Sequence, residues 1–489
     1  MHISEFPHVQ KPFEHQINHL NNHCDSKAWG LFWEQGTAKT KPTIDTICYL
    51  YLNKRINGAL IVAPPGVERN WKSDELPKHT IPEVEMEMMV EVFRTDKKHT
   101  INHKNLMNSL LRHNGLSVLL MNYSSFMTKE GKKMAWDFLK TRKCFYALDE
   151  AHYIKSPNAK RTKSIIASGK YADYRRILTG TPYAKGPFDI YSQVRFLDND
   201  FWKRRGIPGS TEFRAYFGEW LTAADHKELF GWDPGFDELK AYKNLDQLKN
   251  WLTEIADRVE KCDVLDLPPK LYTKTYFDMT KEQKTVYENL RKEYIHEFAD
   301  GGIVDGSLAM VRLLRFQQVL CNYVPTDLEP REQISPKNPR LEAMEARRDN
   351  ATSPGIIWSR FTHDIDLLMD MFGKRAVRYD GTLTDDEAER SKLAFQRGDA
   401  DWFIGNQQKG AEGLTLHMAK TMDYFCNSFR LIDRLQSEDR AHRAGMDDNP
   451  VLYSDVVCPG TVDEGVVSNL REKKDISDFM LGNRIREWI

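Results

Sequence analysis

Long hydrophobic runs are missing from this chain. No stretch of its 489 residues approaches the roughly 20 consecutive apolar side chains that a membrane-spanning helix needs. The segment from Met1 to Pro7 lacks the charged-then-apolar pattern of a secretory leader, so a cytoplasmic protein is expected. The 7 cysteines are scattered and form no CxxC pair, which argues against a disulfide framework and a zinc ribbon. Net charge is also nearly absent, at −1, so a polyanionic partner must be held by local basic patches rather than by bulk charge. Internal repeats and low-complexity segments are lacking too.

What is present is a soluble, globular balance, with 40% hydrophobic and 29% charged residues. The length exceeds what one ordinary core organises, so two or three domains are expected. The most informative stretch runs from Cys144 to His152. An apolar run there ends in the adjacent acids Asp149 and Glu150. This is the pattern of a buried parallel strand delivering carboxylates to the edge of a sheet where open α/β proteins place ligands. Asp149 is suited to holding Mg²⁺, and Glu150 to deprotonating a water that attacks a γ-phosphate. A plain strand followed by an acidic turn reads the same when taken alone.

A phosphate cradle is found upstream. The short apolar strand Trp29 to Trp33 enters Glu34-Gln-Gly-Thr-Ala-Lys-Thr40, and a helix is expected from about Pro42 to Leu52, with the proline in its first turn. In this layout backbone N–H groups and the helix dipole hold phosphates, Lys39 reaches the β and γ oxygens, and Thr40 ligates Mg²⁺. Ala38 stands where a glycine normally precedes the lysine, and its methyl is expected to crowd the loop. A lysine-bearing turn without a ligand is the plain alternative.

Further strands are expected at 59–65, 116–122 and 176–182, with helical patterns between them, which predicts a doubly wound parallel sheet. From about Asp198 to residue 335 the chain turns aromatic and charged with helical periodicity; Trp202, Trp220, Trp232 and Trp251 are read as packing residues. A second βαβ series follows, with strands at 355–358, 376–379, 402–404, 422–425 and 451–457. Between its last two strands, Arg440 and Arg443 are spaced to share a helix face, as a solvated surface or as arginine fingers. His15, His19 and His23 recur at helical spacing beside Cys24 and are read as a polar helix face rather than a metal site.

In order, these segments resemble the Snf2 branch of the superfamily 2 helicases and translocases, over nearly the whole chain. Gln16 sits at the adenine-reading glutamine. Glu34 to Thr40 is similar to motif I, Leu60 to Trp71 to motif Ia, Asp149 to Asn158 to motif II, and Leu178 to Pro182 to motif III. Leu267 to Lys270, Met279 to Gln283 with Tyr287, and Leu314 to Asn322 resemble stretches between the two Snf2 lobes. Ile357 to Phe361, Tyr379 to Gly381 with Glu389 and Arg390, Gly410 to Leu416 and Gln436 to Arg443 resemble motifs IV to VI. Thr415 replaces the usual motif V asparagine but keeps a hydroxyl able to bond a phosphate.

The resemblance implies an α/β fold of two RecA-like, doubly wound parallel-sheet lobes with ATP in the cleft between them. Lobe 1 would cover 1–200, a mainly helical Snf2-type insertion 201–335, and lobe 2 with C-terminal helices 336–489. The implied cofactors are ATP and Mg²⁺. Gln16, Gly36, Thr37, Ala38, Lys39, Thr40, Gly413 and Gln436 would bind nucleotide. Thr40 and Asp149 would hold the metal, and Glu150, Asp149, Arg440 and Arg443 would carry catalysis. His152, Thr179 and Thr181 would couple the cleft to a nucleic-acid groove. Arg69, Asn70, Lys155, Lys160, Ser359, Arg360 and Thr415 would touch backbone phosphates there without regard to sequence. The implied function is a DNA-stimulated ATPase that moves on or remodels duplex, forked or branched DNA in replication, repair or recombination, acting as a monomer with replication or repair proteins as partners. The alternatives are a strand-separating DNA or RNA helicase and a DNA-binding protein with an inactive ATPase.

Overall fold

Apolar runs too short for helices become parallel strands buried on both faces. The computed structural model describes residues 2–183, 186–230, 235, 237–299, 306–324, 332–350, 353–410, 414–443 and 446–479. Packing divides the chain into two units, Met1–Asp266 and Leu267–Arg484.

The first unit holds β1 (Ala28–Trp33), β2 (Gly58–Ala63), β3 (Met88–Val92), β4 (Leu116–Asn122), β5 (Cys144–Asp149), β6 (Tyr174–Leu178), β7 (Gly218–Leu221), β8 (Glu238–Tyr242) and β9 (Ala256–Val259). Seven of these form one sheet in the order β3-β4-β2-β5-β6-β1-β9, parallel throughout. Side chains alternate between its faces with the strand period of two. Leu60, Val62, Leu119, Met121, Tyr146 and Leu148 enter one core. Ala59, Ile61, Ala63, Val118, Leu120, Phe145 and Ala147 enter the other. β7 and β8 pair as an antiparallel hairpin with an irregular register at Glu219 and Trp220. Trp220 stacks on Phe188 with ring centres 5.7 Å apart, which docks the hairpin on the turn Pro187–Asp189.

The second unit contains β10 (Leu271–Tyr276), β11 (Gly355–Ser359), β12 (Ala376–Tyr379), β13 (Trp402–Asn406), β14 (Thr421–Tyr424) and β15 (Leu452–Val457). They form a parallel sheet in the order β10-β15-β14-β11-β13-β12. Ile357, Ile404 and Val456 face one core, and Ile356, Phe403 and Met422 face the other. Two doubly wound parallel sheets, one per unit, thus match the expected fold class.

The chain departs from expectation in its middle. The stretch read as one helical insertion over 201–335 does contain the helices Ser210–Phe217, Leu245–Leu252 and Lys281–Ala299, but also four strands. β9 completes the first sheet and β10 starts the second, so the division falls at Asp266 and Leu267. β6 also ends at Leu178, short of the expected 182, because Thr179 to Pro182 turn out of the sheet. Among the described residues, no helix is long and apolar enough to cross a membrane.

Candidate nucleotide site

The loop after β1 carries Glu34 to Lys39, and the helix Thr40–Leu52 starts at its end. The loop is tied from within. Thr37 Oγ1 donates to the Glu34 carbonyl at 2.7 Å, and Lys39 Nζ donates to the Trp33 and Glu34 carbonyls at 2.9 and 3.1 Å. It is also tied from outside by the helix Glu14–His23. His15 Nε2 donates to the Thr37 carbonyl at 3.0 Å, and Gln16 Nε2 donates to the Ala38 carbonyl at 2.9 Å. Gln16 Oε1 accepts from the Phe13 N–H at 2.8 Å, and the side chain is wholly buried. The amide expected to read adenine is therefore spent on shaping the loop. The histidine face is corrected too. His15 and His19 are buried, His19 bonds Asp257 at 3.2 Å, and His23 stacks on Trp29 at 3.6 Å.

Gly36 has φ 82° and Ala38 has φ 58°, both in the left-handed region. The departure at Ala38 is thus conformational rather than a matter of crowding. The backbone requires what glycine gives freely, and an alanine there costs about 1–2 kcal/mol. The bonds from His15 and Gln16 to the flanking carbonyls hold it in place.

The ends of β5 and β6 meet this loop. Gln35 Nε2 donates to Glu150 Oε1 at 3.3 Å. A Cβ on Gly180 would lie 2.7 Å from Gln35 Cγ and 2.9 Å from its backbone nitrogen, so the turn after β6 needs a glycine for the loop to lie against it. Thr179 is buried, and its hydroxyl accepts the Thr181 N–H at 3.2 Å. Glu150 adopts φ 52° and ψ 55°, turning the chain sharply after Asp149, and its second oxygen lies 3.2 Å from His152 Nδ1. Lys39, Glu150, His152, Thr179 and Thr181 therefore belong to adjoining loops at one sheet edge, as expected.

Asp149 is the most closely held of these groups. Its Oδ2 accepts the Trp71 indole N–H at 2.9 Å, and its carbonyl accepts the Tyr123 hydroxyl at 2.7 Å. Burial pushes its carboxyl above the usual range and the Glu150 charge adds to that, while the Trp71 hydrogen bond and the Lys39 charge pull it back. Two adjacent acids, one disfavoured as a buried anion, form an oxygen donor set that suits a hard cation such as Mg²⁺, and Thr40 offers a half-buried hydroxyl in the first helical turn. Trp71, Tyr123 and His15 were missed as site residues. The only sequence signal for Trp71 was its place at the end of the motif Ia-like stretch.

In the second unit the helix Leu431–Glu438 ends before both predicted finger arginines. They do not share a helix face, yet both turn back to one carbonyl. Arg440 donates to the Leu414 and Gln436 carbonyls at 3.0 and 2.9 Å; Arg443 donates to the Leu414 carbonyl at 3.1 Å and to Thr415 Oγ1 at 2.8 Å. Gln436 is buried. Behind them lies an ionic cluster that sequence reading overlooked. Arg434 bonds Glu438 at 2.8 Å and Asp455 at 2.5 Å, while Glu438 accepts from Lys270 at 3.0 Å and Tyr272 at 2.8 Å. Gly413 lies outside the described residues.

The expected nucleic-acid contacts are not one surface. Lys160 is exposed, Arg69 and Asn70 are half-buried on the turn after β2, and Lys155 sits 3.8 Å from Asp189. Arg360 is half-buried, lies 4.1 Å from the Phe429 ring and donates to Gln317 at 3.1 Å. Ser359 is a correction. It is fully buried, and its hydroxyl donates to Asp364 at 2.6 Å, so it does not present a hydroxyl to a phosphate.

A strand, a tight turn ending in Lys-Thr, a helix, and an acid pair on a neighbouring strand define a phosphate-loop α/β protein. The SNF2-related domain matches residues 16–323, and the helicase conserved C-terminal domain matches 338–445. The chain belongs to the SNF2-related family. It is 26% identical over 489 residues to the ISWI chromatin-remodeling complex ATPase ISW2 of Saccharomyces cerevisiae, covering 95% of this chain and 40% of that protein. It is 24% identical to the transcription regulatory protein SNF2 of the same yeast, covering 95% of this chain and 27% of that one. It therefore spans less than half the length of these curated relatives. Among solved structures, the SWI2/SNF2 ATPase core of Sulfolobus solfataricus in complex with dsDNA aligns at 19% identity, covering 97% of this chain and 94% of that one with a TM-score of 0.41.

Proposed function

We propose that this protein hydrolyses ATP, stimulated by DNA, and uses the energy to move on or remodel duplex, forked or branched DNA. The observation that carries the reading is the meeting of the Lys39 loop with the Asp149–Glu150 strand end, through Gln35 and Gly180. ATP binds with its phosphates at the loop, where Lys39 exchanges two backbone carbonyls for phosphate oxygens. Thr40 and Asp149 hold Mg²⁺, which supplies charge neutralisation at the phosphates. Glu150 orients and deprotonates the attacking water. Arg440 and Arg443 stabilise charge that develops on the γ-phosphate. His152, Thr179 and Thr181 relay the nucleotide state. DNA is gripped through backbone phosphates by Arg69, Asn70, Lys155, Lys160, Arg360 and Thr415, so binding weakens steeply with salt.

The finer proposal places this activity in replication, repair or recombination, in the cytoplasm, as a monomer. It requires forked or branched DNA to stimulate turnover more than linear duplex does. The site assignment is tested with two variants. Glu150→Gln is expected to lose more than about 100-fold in turnover while still binding ATP and DNA. Arg443→Ala is expected to lose turnover by roughly 1000-fold with nearly unchanged ATP affinity. An active Glu150→Gln protein removes the role given to Glu150, and unchanged turnover in Arg443→Ala excludes it as a finger.

A further inference from the structure

We propose that Trp71 is a positioning residue for the metal-holding carboxylate, acting through its indole N–H on Asp149 Oδ2, with Tyr123 fixing the backbone beneath it. The inference rests on the nucleotide-site reading above and assigns it a supporting pair.

The two donors come from opposite faces of the first sheet. Trp71 belongs to the core under one face and Tyr123 to the core under the other; each is 1% exposed. An indole offers one donor and no acceptor, so a buried tryptophan N–H must find an oxygen. This one finds Asp149 Oδ2 at 2.9 Å. The terminal torsion of an aspartate is broad and roughly two-fold, so packing alone does not select its orientation. A single fixed donor on one oxygen does, and it leaves Oδ1 for the cation. The Tyr123 hydroxyl takes the Asp149 carbonyl at 2.7 Å, at the point where the chain turns into the left-handed conformation of Glu150. Tyr123 is itself braced by stacking on Tyr153 at 4.9 Å, with an interplanar angle of 11°. The carboxylate and its peptide are thus gripped separately, by neutral donors that leave the acid's charge intact for a metal. Trp71 also directly follows Arg69 and Asn70, so the turn that bears two proposed DNA contacts carries the indole that orients Asp149.

The test replaces the indole N–H by sulfur, with 3-benzothienylalanine at position 71, which keeps the ring shape and removes only the donor. Mn²⁺ serves as the probe, and its binding to the ADP-bound full chain is read by electron paramagnetic resonance. The expected result is a loss of metal affinity of about 10-fold, the scale for partners that orient a metal ligand, with a melting temperature close to wild type. Tyr123→Phe, which deletes a single hydroxyl, is expected to weaken Mn²⁺ in the same direction by a smaller factor. The Mg²⁺ concentration for half-maximal ATP turnover should rise in parallel. Wild-type Mn²⁺ affinity and Mg²⁺ dependence in the benzothienyl protein overturn the inference and leave Trp71 as a packing residue. A wild-type protein that binds no Mn²⁺ with ADP overturns the nucleotide-site reading itself, and the inference with it.

Discussion

In the first unit, Asp149 is held by an indole N–H and a phenol O–H, and the Lys39 loop by an amide and an imidazole. In the second, Arg434 is held by Asp455 and Glu438, and Glu438 by Lys270 and Tyr272. The sheets share an architecture but keep their polar groups in place by opposite means. Neutral donors fix geometry and leave charge uncompensated, which is what a site awaiting a cation and phosphates needs. Ion pairs compensate charge internally, which suits a scaffold. Buried pairs of this kind gain little over apolar packing, but losing one partner strands the other's charge.

The comparison is broken most severely at Arg434. Arg434→Met should leave Asp455 and Glu438 buried without their shared cation and cost about 3–5 kcal/mol, read by chemical denaturation. A loss under about 1 kcal/mol would mean that the cluster is not a scaffold.

A smaller effect is expected from Gln16→Ala. It strands the Ala38 carbonyl and the Phe13 N–H, for about 1–3 kcal/mol, and frees the loop. Its ATP affinity should fall, and unchanged affinity would show that the loop keeps its shape without the amide.

The third prediction uses Asp423, whose carboxyl is pushed up to about 6 by burial, against the pull of Arg347. Its folded value lies above its unfolded one. Between roughly pH 4 and 6 the folded chain therefore binds more protons, and this group's contribution to stability falls as pH rises through the window. From pH 5 to 7.5, wild type should lose about 1 kcal/mol relative to Asp423→Asn. A pH-independent difference between the two proteins would contradict the shift.

The smallest effect is expected at Ala38. Ala38→Gly relieves the strain of φ 58° but loosens the unfolded chain, so stability should change by less than about 0.5 kcal/mol. A large loss would mean that the Ala38 methyl packs.

The parallel strands were legible wherever both faces are buried, because β2, β4, β5, β11 and β15 are continuous apolar runs. The edge strands were not. β3 is half-buried along its length, β9 spans only Ala256–Val259, and β10 reads Leu-Tyr-Thr-Lys-Thr-Tyr with no apolar run. The acid pair and the lysine loop were readable because strand ends and tight turns are local. The misplacements were all tertiary. Spacing cannot show that Gln16 is used up by Ala38, that Ser359 is buried on Asp364, or that a helix stops at Glu438 before Arg440. Trp71 and Tyr123 escaped because each is distant in sequence from the carboxylate or carbonyl that it bonds.

The central claim is tested most directly by steady-state ATP hydrolysis at low salt, without nucleic acid and then with single-stranded, duplex and forked DNA and with RNA, using Glu150→Gln as the blank. The account predicts measurable wild-type turnover, raised strongly by duplex or forked DNA and absent from the blank. No turnover with any of them, while DNA is still bound, would contradict it and leave a DNA-binding protein with a silent nucleotide site.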